Sequence, residues 1–186
     1  HDFLKHKIKK NIIFYDNLES NIKIKNKSTN IIVSKSGNTL ETIANTNFLI
    51  NKKDKNIFIT GSENSYLRSL ALKMRAEIIN HNNFIGGRYS VLSEVGMLPA
   101  SLMGLNENKF KQLNNLIKNK NFINLLVSNV SSTLFFIKNK KFNSIILNYD
   151  NSSDNLFNWY QQLIAESLGK KGKGIQPIIS TMPKDN

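Results

Sequence analysis

The sequence predicts an α/β fold in which a parallel sheet is flanked by helices. Three observations predict it. Short apolar runs alternate with longer stretches of helical periodicity, the pattern of strand–helix–strand units. Runs such as "NIIVS" and "NIFIT" are continuous rather than alternating, which fits strands covered on both sides. The length of 186 residues, with 40% hydrophobic and 9% aromatic residues, suits a single domain with a sizeable core.

The elements follow in order. "HDFLKHKIKK" (1–10) reads as part of a helix leading into a strand, "NIIFY" (11–15), which the turn-like "DNLESN" closes. "NIIVS" (30–34) is a second strand. Thr39-Leu40-Glu41-Thr42 then opens a helix with Ile43, Ala44 and Phe48 at helical spacing. "NIFITGS" (56–62) is a third strand ending in Gly and Ser. "SYLRSLALKMRA" (65–76) places Leu67, Leu70, Ala71 and Met74 on one helical face, and "EIINH" (77–81) is a short fourth strand. From Ser90 to about Phe136 the pattern is mostly helical. "FNSIILNYD" (142–150) returns to strand. "DNLFNWYQQLIAESLGK" (154–170) is a helix with Asp154 near its start and Gly169 as its C-cap. "GIQPIIST" (174–181) is a last strand, which Pro177 confines to an edge or an end. No internal repeat or linker interrupts residues 1–186, which read as one domain.

Composition narrows the function classes. The chain has no cysteine, which excludes disulfides and thiolate metal sites and permits a cytoplasmic location. No apolar stretch approaches the roughly 20 residues of a membrane-spanning helix, and the polar, basic first residues do not form a signal peptide. A net charge of +13 invites an anionic partner such as nucleic acid. The basic residues are mostly Lys, spread along a chain rich in Asn and Ile, with no Arg-rich block or basic-aromatic stripe. A general Lys/Asn/Ile bias accounts for the charge without a polyanion, so neither nucleic acid nor membrane is expected as a partner. The chain begins at His1 rather than Met, and is expected to be a segment of a longer protein.

Three stretches carry candidate chemistry. "SKSGNTLET" (34–42) holds four hydroxyls, a lysine and a glycine where a strand gives way to a helix. Ligands of parallel sheets bind beyond the carboxyl ends of strands, and a helix N-terminus ringed by hydroxyls favours an anion. Gly37 permits close approach of the backbone to a ligand; Lys35 adds a point charge. The GxxxxGK spacing of a nucleotide-binding loop is missing. A capped helix with solvated Ser and Thr side chains is the competing reading. In "IGGRYS" (85–90), Gly86 and Gly87 precede Arg88, one of three arginines in the chain. Such an arginine suits an oxyanion or a developing negative charge, and a plain turn with a surface arginine competes. In "QQLIAESLGKKGKG" (161–174), Glu166 falls on the last turn of a helix, where the dipole is expected to raise a carboxyl pKa and suit a general base. Gln162 lies four residues earlier on the same face. A surface glutamate paired with Lys170 or Lys173 is the alternative. His1 and His6 sit on a polar end; His81 ends a strand, where a structural role competes with reach into a site. No metal-ligand spacing and no Ser/His/Asp arrangement stands out.

Together the three stretches resemble glucose-6-phosphate isomerases. "SKSGNTLET" is similar to that family's SK(S/T)-x-(S/T)-T-x-ET sugar-phosphate loop, "GGRYSVLSEVGMLPASL" to its GGR(F/Y)S-x-x-S-x-(V/I)G signature, and "WYQQLIAESLGKKGKG" to its QQ-x-x-x-ES-x-GK motif. The order and spacing also agree, from about Ile12 to Pro183. The resemblance implies a sugar-isomerase domain, a flavodoxin-like three-layer sandwich, catalysing aldose–ketose exchange between glucose 6-phosphate and fructose 6-phosphate. It implies that Ser34, Lys35, Ser36, Gly37, Asn38 and Thr39 form the phosphate loop, that Glu166 is the base, that Arg88 stabilises the enediolate, and that Gly87 and Gln162 touch the substrate. Gly37 and Asn38 vary within the loop, and the hydroxyls of Ser34, Ser36 and Thr39 remain. No metal or organic cofactor is implied. The family is dimeric and has two such domains, so its ring-opening histidine, a C-terminal lysine and a glycine-rich sugar loop are expected outside this chain. The isolated 186 residues are therefore expected to bind sugar phosphate weakly and to turn over little. A non-catalytic sugar-phosphate-binding module of the same fold is the alternative; Glu166 together with Arg88 argues for the enzyme.

Overall fold

The computed structural model describes residues 1–18, 28–61 and 63–181. The chain divides into two compact units, one from Lys9 to Gly104 and one made of His1–Ile8 with Leu105–Asn186. Both are α/β: parallel strands form a small sheet in each, flanked by helices.

In the Lys9–Gly104 unit the strands are β1 (Thr29–Ser34), β2 (Lys55–Thr60) and β3 (Glu77–Asn80), ordered β1-β2-β3. Helix α1 (Leu40–Leu49) joins β1 to β2, and α2 (Tyr66–Met74) joins β2 to β3. Every residue of β2 after Lys55 is buried, as a central strand with both faces covered requires. Its register sets Ile32, Phe58 and Ile78 side by side. That row packs under Ile43 of α1 and under Leu67, Leu70, Ala71 and Met74 of α2. Leu67 and Ala71, four residues apart, are the buried stripe of α2. Phe58 is fully buried; burial of such a side chain contributes about 1.5–3 kcal/mol. Ile57 and Ile59, on the other face of β2, are buried as well. Beyond β3 come a short 3-10 helix (Gly87–Leu92) and α3 (Glu94–Leu102).

The second unit holds α4 (Glu107–Lys111), α5 (Asn114–Lys118), α6 (Lys120–Lys138), β4 (Asn143–Asn148), α7 (Asp154–Leu168) and β5 (Gln176–Thr181). Strands β4 and β5 pair in parallel, and α7 packs on β5. Gln161 of α7 donates through Nε2 to the Pro177 carbonyl of β5 at 2.7 Å. Pro177 stands opposite Ser144 in a two-stranded sheet, where every strand is an edge strand and a missing N–H is tolerated. Asp154 opens α7 and accepts from Asn148 Nδ2 at 2.6 Å, and Gly169 closes the helix.

Two expectations fail. "NIIFY" (11–15) joins neither sheet: β1 and β3 are the outer strands of the first, and 11–15 pairs with neither. The adjoining chain is instead tied to α1 through Asn45 Nδ2, which donates to the Asn17 carbonyl at 2.9 Å. An apolar run becomes a strand only when a neighbour accepts its backbone groups. Phe48, read as part of the α1 core face, is 76% exposed. Five residues separate it from Ile43, a turn of about 140° around the helix; Ile43, Thr46 and Ile50 lie along the inner side instead. Among the described residues no helix is long and apolar enough to cross a membrane.

Candidate functional site

The "SKSGNTLET" loop starts on the carboxyl edge of the first sheet. Parallel register places Ser34, Thr60 and Asn80 in one row across that edge. Ser34 is buried, and its hydroxyl accepts from the Gly37 amide at 3.1 Å and shares a proton with Thr39 Oγ1 at 2.9 Å. Ser36 Oγ accepts from the Asn38 amide at 3.2 Å. Ser34 thus builds the loop, while Ser36, Asn38 and Thr39 are exposed on it. Gly37 lies in the left-handed region at φ 64°, seated on Ser65 and Thr60. Among the described residues, the buried Thr60 hydroxyl beneath it has no hydrogen-bond partner.

Two helix N-termini meet this loop and are treated differently. The first-turn amides of α2 are taken up: Tyr66 N–H by Asn38 Oδ1 at 2.9 Å, Leu67 N–H by the Gly37 carbonyl at 3.0 Å, and Arg68 N–H by Ser65 Oγ at 3.3 Å. Helix α1 starts after Thr39, whose side chain makes no capping bond. The Thr39 hydroxyl is engaged with Ser34 instead, so the capped-helix reading does not describe it. That leaves the positive end of the α1 dipole and two exposed hydroxyls at one point, which is the chemistry of an anion site.

Lys35 takes a different course from the one its charge suggests. Its ammonium donates to the backbone carbonyls of Asn83 and Ile85, both at 2.9 Å. Those carbonyls belong to the loop that leads into Gly86, Gly87 and Arg88. Arg88 is half-buried at the start of the 3-10 helix, with its guanidinium carbon 5.8 Å from the centre of the Tyr89 ring, a cation–π contact. A Cβ added at Gly87 would meet nothing within 4 Å. Beside this loop opens a cavity of about 380 Å³ lined by Phe84, Ile85, Gly86, Tyr89, Leu92 and Ser93. Its wall is mostly apolar.

Behind the arginine loop, His81 is buried at the end of β3. Its Nε2 contacts the Ile85 carbonyl at 3.1 Å and its Nδ1 pairs with Glu94 Oε1 at the start of α3. Burial raises the Glu94 carboxyl. Hydrogen bonds from its own amide, from His81 and from the backbone of Asn82, with the charge of His81, outweigh that and hold it below the usual carboxylate range. His81 is therefore structural, as one of its two sequence readings had it.

In the second unit, Gln162 and Glu166 lie one turn apart on α7. Gln162 Nε2 donates to Glu166 Oε1 at 3.0 Å, and both residues are exposed. Glu166 stands on the last turn of the helix, two residues before its end at Leu168. That turn carries no basic residue of its own, and the carboxylate stands at the negative end of the backbone dipole.

The chain is similar in sequence to known proteins. A glucose-6-phosphate isomerase of Methanocaldococcus jannaschii is 34% identical over 174 residues, 86% of this chain and 42% of that one. One from Mycoplasmopsis pulmonis is 30% identical over 169 residues, covering 83% and 39% of the two chains. Over most of its length this chain is similar to glucose-6-phosphate isomerases. It spans about two fifths of the length of the curated relatives it matches. No protein-family model matches it. A crystal structure of a hypothetical protein from Thermus thermophilus shares the fold, with a TM-score of 0.65 at 24% identity over 84% of this chain and 42% of that one.

The Lys9–Gly104 unit holds Ser34, Lys35, Ser36, Gly37, Asn38, Thr39, Gly87 and Arg88, with Lys35 tied to the loop before Gly86; the other unit pairs Gln162 with Glu166. Sequence reasoning missed Thr60 and Ser65, the floor on which Gly37 rests, and Glu94, the partner of His81. "TGS" at 60–62 hinted at the first, as a strand ending in small polar residues beside another such end.

Proposed function

We propose that the chain supplies the phosphate loop and the acid–base residues of an aldose–ketose isomerase that interconverts glucose 6-phosphate and fructose 6-phosphate. The observation that carries this reading is the α1 N-terminus: a helix start without a side-chain cap, with Ser36 and Thr39 exposed around it, at the carboxyl edge of a parallel sheet. The family likeness adds the substrate.

In this reading Ser36, Thr39 and the α1 amides hold the phosphate, with Ser34, Gly37 and Asn38 shaping the loop. Binding the phosphate far from the reacting carbons orients the sugar. Glu166 removes the C2 proton of the open-chain aldose. The electrons of that C–H bond form the C1–C2 double bond of an enediolate, whose oxygen charge Arg88 stabilises. Glu166 then returns the proton to C1, and the hydroxyl proton passes between O2 and O1. Gln162 orients the carboxylate through its 3.0 Å bond and reaches the sugar, which passes Gly87 closely. The protein acts in the cytoplasm as a homodimer, without metal or organic cofactor. A non-catalytic sugar-phosphate module is the second reading; the Gln162–Glu166 pair favours the enzyme, because binding a phosphate calls for no oriented carboxylate.

Turnover by the full-length protein tests the proposal. Glucose 6-phosphate incubated in deuterated water should yield fructose 6-phosphate with deuterium at C1. Phosphate-dependent sugar binding without turnover would leave the binding module instead.

A further inference from the structure

The carbonyl of Ile85 is held by two side chains from different parts of the Lys9–Gly104 unit. Lys35 Nζ reaches it at 2.9 Å from the loop after β1, and takes the Asn83 carbonyl at the same distance. His81 Nε2 reaches it at 3.1 Å from the end of β3. A carbonyl only accepts, so Nε2 carries a hydrogen. The other ring nitrogen faces the Glu94 carboxylate, a contact that needs one more proton between them. The pair thus presents a fixed N–H donor to Ile85, with Glu94 in turn secured by its position at the start of α3. Ile85 directly precedes Gly86, Gly87 and Arg88.

We propose that Lys35 and the His81–Glu94 pair are positioning residues, which clamp the Ile85 carbonyl and so set Arg88 at a fixed place relative to the 34–39 loop. The catalytic consequence rests on the isomerase reading; the clamp itself does not. Lys35 is a bridge between the loop that grips the anion and the loop that carries the arginine. Its ammonium is spent on two carbonyls rather than on a ligand oxygen. Two glycines between Ile85 and Arg88 leave that stretch with little stiffness of its own, so an anchor immediately before them decides where the arginine stands. Small misplacements of a catalytic cation are costly, on the order of 100-fold per ångström.

The test uses the full-length protein with Lys35→Met, which keeps the apolar stem and removes the donor. Lys35→Met should lower kcat by about 10- to 100-fold and change KM for glucose 6-phosphate by less than about 3-fold. Inhibition by inorganic phosphate should be equally unmoved. Combined with Arg88→Gln, it should cost nothing beyond Arg88→Gln alone, because a misplaced arginine and a missing one remove the same contact. Lys35→Arg, which retains donors, should recover part of kcat. A tenfold or larger rise in KM and in the phosphate inhibition constant, with kcat intact, would make Lys35 a direct phosphate ligand and overturn the clamp. So would losses that multiply in the double variant. A second readout needs no turnover: amide hydrogen exchange across residues 84–92 should quicken by about tenfold or more in Lys35→Met when the local opening becomes easier. Unchanged exchange there overturns the clamp even if the full-length protein proves not to isomerise, an outcome that would sink the isomerase reading separately.

Discussion

Gly37→Ala isolates the geometry on which the loop depends. The residue holds φ at 64°, where any side chain costs about 1–2 kcal/mol. An added Cβ would stand 2.1 Å from Ser65 Oγ, 2.6 Å from Ser65 Cβ and 2.8 Å from Thr60 Oγ1. Rotating Ser65 relieves the first contact only. It also breaks the bond that caps α2 at Arg68 and leaves the Cβ clash in place. Overpacking of this kind costs about 1–3 kcal/mol, so the sum is about 2–5 kcal/mol. In a protein whose total stability is of order 5–15 kcal/mol, that is a large fraction. Urea unfolding followed by circular dichroism should show the midpoint fall at unchanged slope, and inorganic phosphate should protect the variant less than the wild type. A change in unfolding free energy below about 0.5 kcal/mol would refute the claim that Gly37 is fixed by Ser65 and Thr60.

Other outcomes follow from the same geometry. Gly87→Ala should leave stability within about 0.5 kcal/mol, since a Cβ there meets nothing within 4 Å. Isomerase turnover by the full-length protein should nevertheless fall at least tenfold if the sugar passes close by, and unchanged turnover would remove Gly87 from the substrate path. Thr39→Ala should raise KM for glucose 6-phosphate about tenfold through loss of a charge-assisted contact worth roughly 1.5 kcal/mol, with kcat little altered; a kcat-only effect would move Thr39 away from the phosphate. The lowered Glu94 pKa fixes a sign for acid stability. Its unfolded form binds the proton more readily, so its contribution is complete above the ordinary glutamate value of about 4.3 and is lost as pH falls through the folded value. Urea midpoints measured from pH 6 to pH 3 should decline less steeply in Glu94→Gln than in the wild type, and parallel curves would refute the pairing with His81.

Much of this was legible in the chain because it is local. Continuous apolar runs marked β1, β2 and β4, and hydroxyls around a glycine marked the loop before α1. The Gln162–Glu166 pair is helical spacing read directly as contact. What escaped is long-range. The destination of Lys35 lies 48 and 50 residues away at backbone carbonyls, which have no signature in side-chain chemistry. His81 reads only as the end of a strand, and Glu94 carries no reading of its own, until the fold puts them together. Phe48 failed by angle, since a tally of apolar residues ignores where each one points. "NIIFY" failed because strand propensity is satisfied only where a partner strand stands.

The chemistry stands or falls on the carboxylate at the end of α7. Glucose 6-phosphate isomerisation in deuterated water, by full-length protein with and without Glu166→Gln, addresses it directly. Loss of a general base should lower kcat by about 100- to 10,000-fold, with deuterium incorporation falling in step and phosphate inhibition preserved. Turnover within tenfold of the wild type, with deuterium still entering at C1, would show that another group moves the proton.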